Sequence, residues 1–333
     1  MAEKIITDKD YLYLSAMLKA RESSMLTLDK MERMLQGSFA EAAKALLDNG
    51  YEDMSGMDMK GIEAILSAHR ARIFDELTRF VPEAAVVDAF RMKYDYHNAK
   101  VIVKAEGAGV NGDYLLSDAG RVRPRALQDA FIEDDFRFMP PALGRAMQEA
   151  KSILARTDNP QLSDFAVDQA YFAEMLSLCE GLTSLFPGEY ARTLIDSANL
   201  RTCVRTVRVG RDQDFLRTAL TPGGHVGIER LAQSVMSGDG VAAAFAATPL
   251  AEAAQLGAEA MKGGPMTAFE LACDNAVTAF LAGAKTVGFG AEAVVCYMAA
   301  VENEITAIRM ILTGLASGLD PEQVKERLRD TYA

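Results

Sequence analysis

Apolar residues recur along nearly the whole chain at the three- and four-residue spacing of a helix that buries one face. From Tyr11 the series runs Leu14, Met17, Leu18, Met25, Leu28, Met31, Met34 and Leu35, and predicts a helical segment. A second helix fits residues 39–47 and stops at Asn49-Gly50, a sequence suited to a left-handed C-terminal cap. A third covers 60–80 and is closed by Pro82. A fourth follows Pro82 and carries Val86, Val87, Phe90, Met92 and Tyr94. The same spacing predicts helices over 140–157, 163–185, 189–207, 227–237, 265–286, 291–315 and 321–331. The Val- and Ile-rich stretch from Lys100 to Lys104 sits inside a longer helical pattern and is not read as a strand. The expected class is all-α. A helix of about 25 residues is about 37 Å long, so long antiparallel helices packed side by side are expected.

An internal repeat organises these helices. Asp95, Asn98, Lys100 and Lys104 recur 101 residues later as Asp196, Asn199, Arg201 and Arg205. A looser third copy, about 104 residues further on, carries Glu302, Asn303 and Arg309. Phe80-Val81-Pro82, Phe186-Pro187-Gly188 and Phe289-Gly290-Ala291 precede the three copies. Leucine-rich amphipathic stretches follow at 126–132, 228–235 and 324–328. Three diverged helical units are therefore expected: 1–135 with an N-terminal extension, 136–237 and 238–333. On a helix Asp95 shares a face with Asn98, and Lys100 with Lys104. The simplest role is structural, a polar cluster in each unit that fixes how helices cross, with the Lys or Arg paired to a nearby carboxylate. The other is an interface contact presented once per unit. Repetition favours the structural role, because a catalytic site is seldom needed three times.

Charge narrows the function. The net charge of -12 disfavours nucleic acid and anionic membrane surfaces. Cys179, Cys203, Cys273 and Cys296 are too widely spaced for a zinc site or a disulfide framework and read as reduced, buried residues. The charged N-terminus is unlike a signal peptide, and the longest apolar run, residues 293–301, falls far short of the roughly 20 residues that span a bilayer.

Catalytic motifs fail in context. Gly107-Ala108-Gly109-Val110-Asn111-Gly112 matches a dinucleotide fingerprint but follows a helix rather than a strand. Gly283-Ala284-Lys285-Thr286 falls at a helix end, where a phosphate-binding loop would open one. His69, His97 and His225 form no metal pair or triad, and Glu133-Asp134-Asp135 reads as a solvated charge run without the partner cluster that an all-α terpenoid-type site needs. No catalytic, cofactor-binding or metal-binding residue is assigned.

The repeat region resembles the C/AC39 family of V/A-type ATP synthases, whose eukaryotic V-ATPase counterpart is the d subunit. The resemblance rests on Tyr94-Asp95 with Asn98, Asp168-Gln169-Ala170-Tyr171-Phe172, and Ile195-Asp196 with Asn199-Leu200-Arg201. Its most specific part is the C-terminal series Tyr297, Glu302, Glu304, Ile305, Ile308, Arg309, Leu312, Gly314, Gly318 and Leu319. Ala99-Lys100 departs from the usual Ile/Leu-Lys/Arg pair, and the loop over 107–118 is unusual. The resemblance implies three helical-bundle domains in a pseudo-threefold funnel. Its wide end would receive the central-shaft subunits D and F, and its narrow end would rest on the membrane c-ring through polar inter-helix loops. It implies a non-catalytic rotor socket, without cofactors, peripheral to the cytoplasmic face of a membrane and held there only through the complex. A helical-repeat scaffold unrelated to rotary ATPases is the alternative.

Overall fold

The computed structural model describes residues 6–235 and 238–331, which are helical and contain no strand among the described residues. The chain begins with α1 (Leu12–Glu22), α2 (Leu28–Gln36) and α3 (Phe39–Ala45), then α4 (Met59–Phe80) and α5 (Ala84–Ala108). Next come α6 (Pro124–Glu133), α7 (Pro141–Thr157), α8 (Pro160–Glu180) and α9 (Phe186–Arg208). Four short helices follow: α10 (Gln213–Ala219), α11 (Ile228–Ser234), α12 (Gly238–Phe245) and α13 (Ala251–Met261). The chain finishes with α14 (Met266–Ala282), α15 (Ala291–Ala316) and α16 (Pro321–Lys325).

The three longest helices, α5, α9 and α15, hold 25, 23 and 26 residues and carry the three copies of the repeated motif. Helix α15 is buried on all sides over its first three turns, where every residue from Ala293 to Val301 is inside. That accounts for the longest apolar run in the chain: it is the inside of the protein. One apolar core joins α1–α5 to α6–α9 and α15, and a second fills the space between the end of α9 and α10–α14.

Local chemistry sets the helix ends. Pro occupies the first turn of α6, α7, α8, α9 and α16, where a missing N–H costs nothing. Asp58 caps α4 by accepting from Gly61 N at 2.8 Å, and Gly109 closes α5 with φ of +64°.

Three expectations are corrected. The periodic segment from Tyr11 to Leu35 is two helices, because Thr27 caps α2 and the linker ahead of it is pulled onto α15. The last helix stops at Lys325, well before residue 331, because the tail turns back to α14. There Arg329 Nε donates to Asp274 at 2.8 Å and Asp330 N to Asn275 at 3.0 Å. Helices α10, α12 and α13 were not anticipated, since they are short and, in α12 and α13, Ala- and Gly-rich with little periodic contrast. The expected helix end at residue 237 lies outside the described residues.

The N-terminal segment is a strap on α15, against which α1, α2 and α3 all pack. Its anchor is Glu304, whose buried carboxylate accepts from Leu26 N at 2.6 Å and from Tyr51 Oη at 2.7 Å. Burial raises the Glu304 carboxyl above its ordinary range, against the opposing pull of these two hydrogen bonds. Replacing Glu304 by Leu leaves both donors without an acceptor, so urea unfolding should show a loss of about 1–3 kcal/mol. Limited proteolysis should then open the α1–α2 linker first.

Candidate functional site

The repeated Asp and Asn act on loops. Asp95 and Asn98 lie fully buried on one face of α5. Asn98 treats Ser117 as a strand partner would: its Nδ2 donates to Ser117 O at 2.8 Å and its Oδ1 accepts from Ser117 N at 2.9 Å. Asp95 accepts from Val122 N at 3.0 Å and from Arg121 Nε at 2.7 Å. On α9, Asn199 pairs with Thr221 in the same two-way fashion, at 2.7 and 2.8 Å. Asp196 accepts from Val226 N at 3.2 Å and from His225, through its backbone N at 3.1 Å and its ring Nδ1 at 2.7 Å. Both helices thus hold the loop that leaves them by satisfying backbone groups that the core would otherwise strand.

A glycine makes each clamp possible. A Cβ on Gly120 would collide with the Asp95 carboxylate, and one on Gly224 with that of Asp196. The loop residues therefore repeat too. Ser117, Gly120, Arg121 and Val122 recur as Thr221, Gly224, His225 and Val226. The pattern Ser/Thr-x-x-Gly-Arg/His-Val was available in the sequence, but its offset of 104 residues differs from the 101 of the helix motif and hides it.

Arg121 also donates to Glu174 on α8 at 2.9 Å, and Tyr96 Oη reaches the same carboxylate at 2.6 Å. His225 takes the matching position in the second clamp, with its Nε2 at 3.0 Å from Glu189. Burial alone would lower the His225 pKa, but hydrogen bonds to Glu189 and Asp196 outweigh it and raise it.

The repeated basic residues reach across to another helix. Lys100 and Lys104 on α5 meet Asp168 and Asp164 on α8, at 2.6 and 3.1 Å. Arg201 on α9 meets Glu270 and Asp274 on α14, at 2.7 and 2.6 Å, and Arg205 meets Glu270 at 2.7 Å. Arg309 on α15 pairs with Glu63 on α4, its Nη2 donating at 2.9 Å. The acids are a repeat as well, since Glu63, Asp164 and Glu270 stand at intervals of 101 and 106 residues. These pairs form a cycle, from first motif helix to second acid helix, second to third, and third back to first.

The third copy departs from the other two. Asn303 grips no loop; its Oδ1 accepts from Arg329 at 3.2 Å and its Nδ2 lies near Thr278. Glu302 accepts from Tyr94 Oη at 2.5 Å and sits 2.9 Å from Arg70 Nε and 3.4 Å from Lys93 Nζ, tying α15 to α5 and α4. Burial would raise the Glu302 carboxyl, but Lys93 and Arg70 hold it below the usual range.

The catalytic patterns weighed in the sequence lie far from any reaction geometry. The Gly107–Gly112 run ends α5, and Gly283 follows α14. His69 stacks on Tyr51 with ring centroids 4.2 Å apart, and burial brings its pKa down to about 4. His97 Nε2 lies 2.9 Å from Leu115 O. Burial pushes the Cys179, Cys203 and Cys273 thiols up to about 12, so they are poor nucleophiles. Among the described residues no cluster of His, Cys, Asp and Glu is placed to hold a metal ion. A groove of about 1390 Å³ runs between α4, α5 and α15, and of its wall carboxylates Glu63, Asp75, Glu76 and Glu302 are ion-paired, to Arg309, Arg91, Arg21 and Lys93.

A family model described as ATP synthase (C/AC39) subunit matches residues 14–327, a span that contains all three links of the cycle. The chain belongs to this family. The C subunit of the V-type sodium ATPase of Enterococcus hirae is 26% identical over 329 residues, covering 97% of this chain and 99% of that protein. The C subunit of the A-type ATP synthase of Haloquadratum walsbyi is 24% identical, covering 94% and 96%. Its counterpart in the V-type ATP synthase of Thermus thermophilus is 23% identical, covering 69% and 77%. Similarity to the first two runs over nearly the whole length of both proteins.

Two outcomes follow. Gly224→Ala must displace the Asp196 carboxylate and should cost about 1–3 kcal/mol in denaturant unfolding, whereas Gly227→Ala, with open space around its Cβ, should cost far less. The raised His225 pKa means that its stabilisation is complete below its unfolded value near 6.5 and is lost as pH rises through the folded one. The melting temperature of His225→Arg, which keeps its charge as Arg121 does, should therefore fall less than that of the native chain between about pH 6 and pH 9.

Proposed function

We propose that the chain is the non-catalytic socket of a V/A-type rotary ATPase or ATP synthase, coupling central-shaft subunits D and F to the membrane c-ring. In this reading three helical units, 1–135, 136–237 and 238–333, stand around a common axis as a funnel and turn with the rotor. Ion translocation then drives ATP synthesis, or ATP hydrolysis drives ion transport, through a part that does no bond chemistry itself.

The observation that carries the proposal is the cycle of ion pairs Lys104–Asp164, Arg205–Glu270 and Arg309–Glu63. A part that transmits torque needs its elements joined around the whole circumference. These pairs are half-exposed, and each contributes less than about 1 kcal/mol. Their role is register, while the apolar core supplies stiffness. The Glu302 contacts and the N-terminal strap reinforce the link between α15 and α4–α5, where the last unit meets the first. Family membership supports a place in such a complex. No helix among the described residues is long and apolar enough to cross a membrane.

Reconstitution tests this. Shaft, catalytic head and ring assembled with the chain should couple ATP turnover to ion movement, and omission should uncouple them while ATP hydrolysis by the head persists. Coupling that is unchanged without the chain contradicts the proposal.

A further inference from the structure

The Asp168–Phe172 segment has a second use. Asp168 is paired to Lys100, but Tyr171 and Phe172 line a cavity of about 310 Å³ between α5, α8, α9, α14 and α15. Its walls are largely aromatic. The Phe90 and Tyr190 rings are stacked with centroids 5.7 Å apart, the Tyr171 and Phe172 rings lie 4.7 Å apart, and Leu194 and Val277 join them. Lys93, Glu302 and Thr306 line both this cavity and the larger groove between α4, α5 and α15, so the two spaces are neighbours there.

The charged groups of the lining are spent on one another. Lys93 Nζ lies 3.4 Å from Glu302, Arg201 donates to Asp274 at 2.6 Å, and Arg329 donates to Asp274 at 2.8 Å and to Asn303 at 3.2 Å. Ser197 Oγ accepts from Arg201 at 2.5 Å, and Thr306 Oγ1 donates to Glu302 O at 2.8 Å. Two polar groups of the lining stand apart. The hydroxyls of Tyr171 and Tyr190 make no hydrogen bond among the described residues, although Tyr190 is only 7% exposed. A buried phenol ordinarily has a partner. Desolvation raises both phenols above their ordinary range, so both stay neutral donors.

We propose that this cavity binds a compact, uncharged aromatic molecule carrying a carbonyl or ring oxygen that accepts a hydrogen bond from Tyr171 or Tyr190. Each part of that description has a cause in the lining. Aromatic walls favour a flat ring, which they meet by stacking and edge contacts. A dry apolar cavity of about 150 Å³ holds one benzene, so about twice that volume suits two fused rings. The cations and carboxylates neutralise each other and leave no net charge for an ionic ligand to meet. The two free donors call for an acceptor. Water can serve the hydroxyls but gains nothing from the rings, so a ligand that replaces it keeps the hydrogen bonds and adds apolar contact. Such a site stands whether or not the chain is a rotor socket. Its occupant would touch α5, α9 and α15 together, and so would stabilise the packing of the three motif helices.

Ligand-observed NMR titration of the full chain tests this with three probes of similar ring size. Coumarin carries the acceptor oxygens, naphthalene lacks them, and coumarin-3-carboxylate adds a charge. Coumarin should bind saturably, with a Kd on the order of 1 mM or tighter, and raise the melting temperature. Coumarin-3-carboxylate should bind about tenfold more weakly or not at all. The double variant Tyr171→Phe/Tyr190→Phe should bind coumarin about 3- to 10-fold more weakly and naphthalene as the native chain does. It should melt no lower than the native chain, because it removes only unpartnered hydroxyls. Ala198→Leu, which places a larger side chain in the lining, should lose both neutral probes. Absence of saturable coumarin binding to the native chain overturns the proposal, as does coumarin binding that survives in a folded Ala198→Leu chain. Unweakened coumarin binding by the double variant also overturns it, and that result is readable even where Ala198→Leu fails to fold. Tighter binding of the carboxylate than of coumarin overturns the uncharged class.

Discussion

Two buried side chains that stand in for a missing backbone partner set much of this architecture. A loop that folds back over the flank of a long helix takes its N–H and C=O groups out of water, and each must find a partner. Asn98 and Asn199 supply a donor and an acceptor from one amide, while Asp95 and Asp196 collect the N–H groups further along the loop. The glycine facing each carboxylate follows from that arrangement, as does the cation that neutralises it, Arg121 in one clamp and His225 in the other. With both ends of the loop tied to the helix, the next helix is delivered at a set angle. The basic residues further along each motif helix reach a different helix, Lys100 and Lys104 meeting acids on α8 and Arg201 and Arg205 acids on α14.

Much of this was legible in the residues. The apolar spacing revealed the long helices because their buried faces are continuous, and the Asp-Asn-Lys/Arg repeat picked out the residues on α5 and α9 that clamp their loops. Less visible was where each polar group goes. Asp196 and His225 are 29 residues apart and Arg309 and Glu63 are 246 apart, distances over which helical periodicity carries no information. The third copy misled in detail. Glu302 looks like the motif acid, yet it binds Tyr94 and Lys93 between helices. The loop function is absent there, and Asn303 has turned to the C-terminal tail. The split between α1 and α2 was hidden because apolar spacing happens to stay in phase across the Ser23-Ser24 break.

The clamps and the seams differ in kind. The two clamps are buried and specific, and each fixes one loop to its helix. The seams are half-exposed ion pairs laid over apolar contacts, strong in orientation and modest in energy. A body assembled this way keeps its long helices in fixed register without depending on any single pair.

The strap has a consequence for how the molecule is made. The amide of Leu26 finds its acceptor on Glu304, 278 residues later in the chain. At a synthesis rate of about 5–20 residues per second, the N-terminal segment emerges roughly 15–55 s before its docking site exists. Its amphipathic helices must stay unattached through that interval, so completion of the body waits on the last long helix, and a nascent chain cut short before α15 leaves the strap with nowhere to bind.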